Sequence, residues 1–345
     1  MTAALTEALV VLGSGQSLTE AQARAAVDAI MTGEVPESLI GGFLAALRVK
    51  GESAAELAGA VTAVRDRMAV WEPLDDGSLT LDTCGTGGDG ANTVNISTAS
   101  AVVVAACGVS VAKHGNRSAS GNSGSAEVLT ELGVNIDAPA EVLRRCLLEL
   151  GITFFYAPKF HPALRFAAPV RRLLPFRTLF NMIGPLANPS RPAYQLIGVP
   201  SPAQADLMAA AIARLGVVRA AVVSGSGGLD EVSLDGPTEV RWVERGEIKS
   251  IIWSAEEFGL PPVRSTDLRV SGPVESAGAI RAVFDGVVGP ARHSIVANTA
   301  ASLLVAGKVS KLGEGVARAT EAIESGQSKR LLERWAAFSQ GDHRI

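Results

Sequence analysis

From residue 79 onward the chain alternates short β-type runs with helical runs, and no other feature constrains its fold as tightly. LTLDTC leads to STASAVVVAACG, VSVAKHG to SGSAEVLTELG and APAEVLRRCLLELG, and ITFFYAP to HPALRFAAPVRRLL. YQLIGV, QADLMAAAIARLG and RAAVVSG continue the pattern. A helix between two strands is the crossover that parallel pairing needs. The rhythm therefore predicts an α/β domain with a central, mostly parallel sheet. TEVRWVERGEIKSIIW breaks the rhythm and reads as a hairpin turning at Arg245–Gly246. From Ser276 to Trp335 the pattern is helical.

The first seventy or so residues carry no β-type run. SLTEAQARAAVDAIMTG opens with a capping box, Thr19 and Gln22, and stops at Gly33. VPESLIGGFLAALRVKG puts Ile40, Phe43, Leu44 and Leu47 on one helical face. SAAELAGAVTAVRDRMAVW repeats the spacing with Leu57, Val61, Val64 and Met68. EPLDDGS then interrupts all periodicity. The expected organisation is a small all-helical domain over residues 1–73 and a larger α/β domain over 74–345.

Hydrophobic residues are 47% of the 345, enough for a sizeable core, while charged residues are 19% and the net charge is −4. That balance argues against a polyanion-coating surface, so any bound anion needs a local site. Cys84, Cys107 and Cys146 form no C-x-x-C pair and fit reduced thiols. MTAALTEALVVLGSG lacks a basic start, and Glu7 interrupts its apolar run, so no signal peptide is expected. No uncharged apolar run reaches the roughly 18 residues of a membrane helix. A cytoplasmic globular protein is expected.

Gly85, Gly87 and Gly90 in LDTCGTGGDGANTVN spell G-x-G-x-x-G after a strand-like run. A dinucleotide site also wants an acidic residue about 20 positions on and a helix opening within the loop. No Asp or Glu occurs between Asp89 and Glu127, and the helix begins only near Ser97. Asp89 itself sits badly beside a bare pyrophosphate. The dinucleotide reading and that of a plain surface turn therefore both give way to the dense polar cluster downstream of the glycines. Asn92, Thr93, Asn95, Ser97 and Thr98 stand before an apolar helix, whose first N–H groups make an anion site. A second strand-to-helix loop holds Lys113, His114, Asn116, Arg117, Ser118, Ser120, Ser123 and Ser125. Two such loops in one chain point to a large phosphorylated ligand at the carboxyl ends of the strands.

GTGGDGANTVNIST followed by KHGNRSASGNSGSAEVL closely resembles the anthranilate phosphoribosyltransferase family of tryptophan biosynthesis. HPALRFAAPVRRLLPFRTLFNMIGPLANP and GLDEVSL agree with it in order and spacing. The resemblance covers essentially the whole chain. It implies transfer of phosphoribose from 5-phosphoribosyl 1-pyrophosphate (PRPP) to the amine of anthranilate, with Mg2+. It implies a nucleoside phosphorylase/phosphoribosyltransferase-like fold, a homodimer, and an active site in the cleft between the domains. Helices near residues 165–190 are implied to join the small domain.

The resemblance also assigns residues. Gly85, Gly88 and Asp89 look like the loop that closes on PRPP, where glycine lets the backbone come near the diphosphate. Thr93, Asn95, Ile96, Ser97 and Thr98 line the phosphates, with Thr98 equally able to cap the helix. Lys113 is a point charge on the diphosphate, and the stretch His114, Gly115, Asn116, Arg117, Ser118, Ala119, Ser120 and Gly121, with Ser125, wraps the ribose phosphate. Gly85, Asn116, His161, Arg171, Gly184 and Pro185 face anthranilate. Arg171 is the residue for its carboxylate, because a guanidinium holds carboxylates through two parallel bonds. Ser97, Asp230 and Glu231 suit Mg2+, a hard cation taking oxygen ligands. Lys113 and His114 are the candidates for catalysis.

Two other readings remain. A pyrimidine nucleoside phosphorylase shares the implied architecture but carries K-x-S-G-R-G in place of KHGNR. A nucleic-acid-binding relative should show a basic face and lack the acidic pair or the arginine. The chain departs from the family pattern at Glu127, where Asp is more usual, and at LLPF, residues 173–176; neither departure is expected to touch a ligand-contacting atom.

Overall fold

The computed structural model describes residues 2–72, 79–118 and 123–342. The expected boundary after residue 73 lies outside them, as do Ala119, Ser120 and Gly121. Four helices come first: α1 (Thr2–Gly13), α2 (Glu20–Met31), α3 (Glu37–Lys50) and α4 (Ala54–Asp66). The Thr19 hydroxyl accepts from the Gln22 N–H at 3.3 Å and Gln22 Oε1 from the Thr19 N–H at 2.9 Å, so the capping box forms. α3 buries the four residues its spacing marks, Ile40, Phe43, Leu44 and Leu47. α4 stops at Asp66, so Met68 lies beyond the helix on which it was expected.

The alternating region then runs β1 (Leu81–Gly85), α5 (Ile96–Ala106), β2 (Val111–Gly115), α6 (Ser125–Glu131), α7 (Ala140–Arg145) and β3 (Ile152–Tyr156). HPALRFAAPVRRLL is not one helix. After α8 (Ala157–Phe160), a 3-10 turn covers Pro162–Phe166 and α9 covers Ala168–Leu173. Pro162 and Pro169 each open a new piece because proline lacks the N–H that would continue the previous one. There follow α10 (Phe180–Leu186), β4 (Tyr194–Gly198), α11 (Pro202–Leu215), β5 (Arg219–Ser224), β6 (Thr238–Glu244) and β7 (Glu247–Trp253). α12 (Ala255–Phe258), α13 (Pro273–Phe284), α14 (Pro290–Val305), α15 (Leu312–Glu324) and α16 (Gln327–Ser339) complete the chain.

The sheet has seven strands in the order β3-β2-β1-β4-β5-β6-β7. The first five are parallel, and β6 and β7 are antiparallel about the predicted turn, where Arg245 and Gly246 both take positive φ. Alternate residues feed two cores. Leu196, Ala221 and Val223 pack with α5 and α13–α16, while Ile197, Ala220 and Val222 pack with α11 and the first four helices. Both faces are thus covered, as parallel strands require. The second core also takes Val170 of α9 and Phe180, Met182, Ile183 and Leu186 of α10. This crossing segment therefore packs with the N-terminal helices. Among the described residues no helix is long and apolar enough to cross a membrane.

Candidate active site

Strand order reverses at β1, whose successor β2 lies on one side and β4 on the other. A crevice at such a switch point, at the carboxyl ends of the strands, is the expected ligand position in an open α/β sheet. Here it is a cleft of about 280 Å³ lined by the loops after β1, β2 and β5. Gly85 and Gly198 end β1 and β4 in register. A Cβ on Gly85 would meet the Asp230 carboxylate, and one on Gly198 the Asp230 backbone. Only glycine at both places lets the loop after β5 cross the strand ends.

That crossing sets the acidic end of the site. Asp230 Oδ2 accepts from the Gly87 N–H at 2.7 Å, and Glu231 Oε1 from the Ser97 N–H at 3.0 Å. Glu231 thus occupies the start of α5. Asn95, the residue before the helix, makes no side-chain cap, and the buried Thr98 hydroxyl has no hydrogen-bond partner. The alternative capping role for Thr98 is therefore not the one it has. Burial raises the Asp230 carboxyl strongly, with Asp89 adding to it. Burial raises that of Glu231 too, with Asp230 adding. Two desolvated carboxylates side by side form a donor set that a hard cation would relieve. Among the described residues no group of three or more metal-ligating side chains is preformed. Asp89 turns inward: Oδ1 accepts from the Ala91 N–H at 3.0 Å, and Oδ2 faces the Asp230 N–H at 3.5 Å.

Lys113, on β2, is 1% exposed. Its ammonium donates to the Thr83 carbonyl and reaches Ser97 Oγ at 3.4 Å, at the cleft floor. Beneath it, burial pushes the Asp82 carboxyl up to about 6 against the Lys113 charge and a bond from Asn188. Asn95 ties the two loops together, its Oδ1 accepting from Ser123 Oγ at 2.7 Å and from Ser276 Oγ at 2.9 Å. Gly115 permits Ser125 and Phe154 to approach the strand end. Arg117 lies exposed at the rim, its Nε 3.2 Å from the Tyr156 hydroxyl. Asn116 accepts from the Arg117 N–H at 2.8 Å. Glu127 Oε2 accepts from the Ser118 N–H at 3.1 Å and the Gly124 N–H at 2.7 Å. Glu127 is thus bonded to the backbone of the loop expected to hold the ribose phosphate.

His114 and His161 lie among the buried residues next to the cleft. His114 Nδ1 is 3.0 Å from the Gly184 carbonyl, which can only accept, so Nδ1 carries the proton and Nε2 is bare. The His161 ring stands edge-on to it, with centroids 5.1 Å apart. Burial, with the neighbouring ring adding, pushes His114 down to about 3. Burial pushes His161 down to about 4, the Ala187 backbone opposing without completing a hydrogen bond. Both rings are neutral at pH 7. A base that weak is poorly matched to proton abstraction there, which argues against His114 as a general base. Arg171 lies 5.4 Å over the Phe180 ring, and burial lowers its guanidinium. Of the six residues expected to face anthranilate, Gly85 and Asn116 line the cleft, and His161, Arg171, Gly184 and Pro185 are not among its lining residues. Ile96 and Thr98 are buried behind the loop they follow.

Several site residues carried no signal in the sequence. Arg177 donates to the Thr86 carbonyl at 3.2 Å and to that of Gly87. Asn188 Nδ2 bridges Asp82 at 2.8 Å and the Ala112 carbonyl at 2.7 Å. Gln195 Nε2 donates to the Pro185 carbonyl at 2.9 Å, and Arg65 Nε of α4 to that of Leu186 at 2.9 Å. Arg177 could have been noted as one more arginine of the matching block; the others are ordinary polar residues until the fold brings them together.

Fold and site define the chain as a glycosyl transferase of the kind that joins a helical bundle to an α/β domain. Residues 6–68 match the glycosyl transferase family, helical bundle domain, and residues 77–329 the glycosyl transferase family, a/b domain. Within that class it belongs to the anthranilate phosphoribosyltransferase family. The anthranilate phosphoribosyltransferase of Methylorubrum extorquens (strain PA1) is 46% identical over 331 residues, 96% of this chain and 97% of that one. The crystal structure of the Thermus thermophilus enzyme has a TM-score of 0.90 at 40% identity, covering 99% of this chain and 100% of its own. The Saccharomyces cerevisiae enzyme in complex with PRPP and Mg has a TM-score of 0.90 at 27% identity, covering 99% of each chain.

Proposed function

We propose that the chain transfers the phosphoribosyl group of PRPP to the amine of anthranilate, giving N-(5-phosphoribosyl)anthranilate and pyrophosphate. The observation that carries this is the cleft between two strand-to-helix loops, with the Lys113 ammonium at its floor and the Glu231 carboxylate of the acidic pair reaching the same helix start, Ser97. The C1–oxygen bond of PRPP breaks with its electron pair going to pyrophosphate. The anthranilate nitrogen forms the new bond to C1 and then releases its proton. The transition state carries oxocarbenium character, as in glycosyl transfers generally. Lys113 stabilises charge building on the leaving diphosphate. An aniline is uncharged and nucleophilic at neutral pH, so attack needs no strong base, which agrees with two histidines held neutral.

In this reading the backbone of Gly85–Asp89 and the donors Thr93, Asn95 and Ser97 hold the diphosphate. The loop from Gly115 to Ser118, with Ser125, holds the ribose phosphate. Arg171 takes the anthranilate carboxylate, and Gly184, where a Cβ would meet nothing within 4 Å, leaves room for its ring. Asp230 and Glu231, with the Ser97 hydroxyl, would hold Mg2+. That ion supplies charge neutralisation to the diphosphate when bound. The reading extends to a homodimer in the cytoplasm, in which helices α9 and α10 act with the N-terminal bundle as one side of the cleft.

The test is anthranilate fluorescence. It should fall only when PRPP and Mg2+ are both present, with one pyrophosphate released per anthranilate consumed. Unchanged fluorescence, or phosphorolysis of thymidine instead, would contradict the reading. The nucleic-acid-binding alternative predicts a gel shift at moderate salt; none is expected at net charge −4 with Arg171, Asp230 and Glu231 all present.

A further inference from the structure

Arg177 lies in the stretch between α9 and α10. The stretch is rooted just past the arginine: Leu179 and Phe180 are buried in the core shared with the N-terminal helices, and Asn181 Oδ1 accepts from the Thr178 N–H at 2.9 Å. From there the guanidinium crosses to the glycine loop. One terminal nitrogen donates to the Gly87 carbonyl and the other reaches the Thr86 carbonyl at 3.2 Å. A planar fork suits two successive carbonyls, which an ammonium cannot span with the same geometry. Gly88 takes φ +77°, and a Cβ there would collide with the same guanidinium. Gly87 is thus gripped from two directions, its N–H by Asp230 and its carbonyl by Arg177.

The contact is not one that burial demands. Gly87 is exposed, so its carbonyl could be hydrated without Arg177, and the Thr86 carbonyl beside it is only half-buried. What the arginine adds is order. Gly87, Gly88 and Gly90 all take positive φ, and a loop so rich in glycine loses much freedom when it fixes around a ligand. A loop already held in place loses less on binding.

We propose that Arg177 is a positioning residue that fastens the glycine loop to the crossing segment, so that loop order depends on how that segment is seated. Resting on the PRPP reading, this adds a residue that acts on diphosphate affinity without touching the acceptor.

The test compares Arg177→Ala and Arg177→Lys with wild type, using Arg172→Ala as a control for an exposed arginine side chain nearby in sequence. Hydrogen exchange of residues 85–91 in the substrate-free protein should speed up about tenfold in Arg177→Ala, and the PRPP Kd measured by calorimetry with Mg2+ should weaken by about the same factor. The KM for anthranilate should stay within about twofold, with Arg177→Lys between wild type and Arg177→Ala. Adding Gly88→Ala to Arg177→Ala should cost less than Gly88→Ala alone, because the collision with the guanidinium is gone. Unchanged exchange in Arg177→Ala, or equal rises in KM for both substrates, would overturn the proposal. If Arg177→Ala does not fold, Arg177→Lys decides by the same two readouts. Loop exchange needs no substrate, so it separates a failure of this proposal from a failure of the assigned reaction.

Discussion

At the scale of single residues, charge state and what each group lacks decide function. Arg171 is half-buried over an aromatic ring with no carboxylate bonded to it among the described residues, a state suited to a carboxylate arriving with the substrate. Removing a charged hydrogen-bond donor costs about 1.5–3 kcal/mol, so Arg171→Ala should raise the KM for anthranilate roughly 10- to 150-fold and change that for PRPP far less. Equal changes in both would remove the role. His161 gives a pH prediction. Its folded pKa is lowered from 6.5 to about 4, so its stabilising contribution is present above pH 6.5 and lost as pH falls through the folded value. Asp82, raised to about 6, works in the opposite sense, so the wild-type curve alone is not diagnostic. The stability gap between wild type and His161→Gln isolates the histidine. It should narrow by about 2 kcal/mol between pH 6.5 and 5 in denaturant titrations. Lys113 and Arg117 were legible because they sit inside a dense polar motif. Arg65, Asn188 and Gln195 were not, because each acts on a backbone carbonyl or a buried carboxylate that only the fold brings near.

Elements carry the site through close approaches. β1 and β4 end in glycines because the loop after β5 crosses them, which delivers Asp230 and Glu231 to the cleft. At Gly198 the obstacle is backbone, which cannot swing aside as a side chain can. Gly198→Ala should destabilise the protein by about 1–3 kcal/mol and displace the acidic pair, read as a lower thermal midpoint and weaker Mg2+ activation. The double variant Asp230→Asn with Glu231→Gln should weaken Mg2+ activation without that stability loss, because it removes two desolvated carboxyls that disfavour each other's charge. Undiminished Mg2+ dependence would remove the metal assignment. The strands, the hairpin and the buried faces of α3 and α4 could be read from period and turn chemistry. The break before α9 could have been, from Pro162 and Pro169. That Glu231, and not Thr98, occupies the start of α5 could not, because the two partners are 134 positions apart.

Across the whole molecule, the segment expected to form the acceptor slot is pinned from three sides. The carbonyls of Gly184, Pro185 and Leu186 go in turn to His114 of β2, Gln195 of β4 and Arg65 of α4. The slot is thus fastened to the sheet and to the N-terminal helices together. Nothing in the local sequence announces this, since the connection runs through tertiary contacts. The clamp proposed for PRPP has the same character: its halves follow β1 and β2, and Asn95 with Ser123 joins them. A crystal structure of the complex with PRPP and Mg2+ tests the clamp directly. The diphosphate should lie between Gly85–Asp89 and Lys113, the ion should touch Asp230 or Glu231, and the ribose phosphate should rest on Asn116–Ser118. A diphosphate bound away from these two loops, or an ion that leaves both carboxylates untouched, would contradict the account.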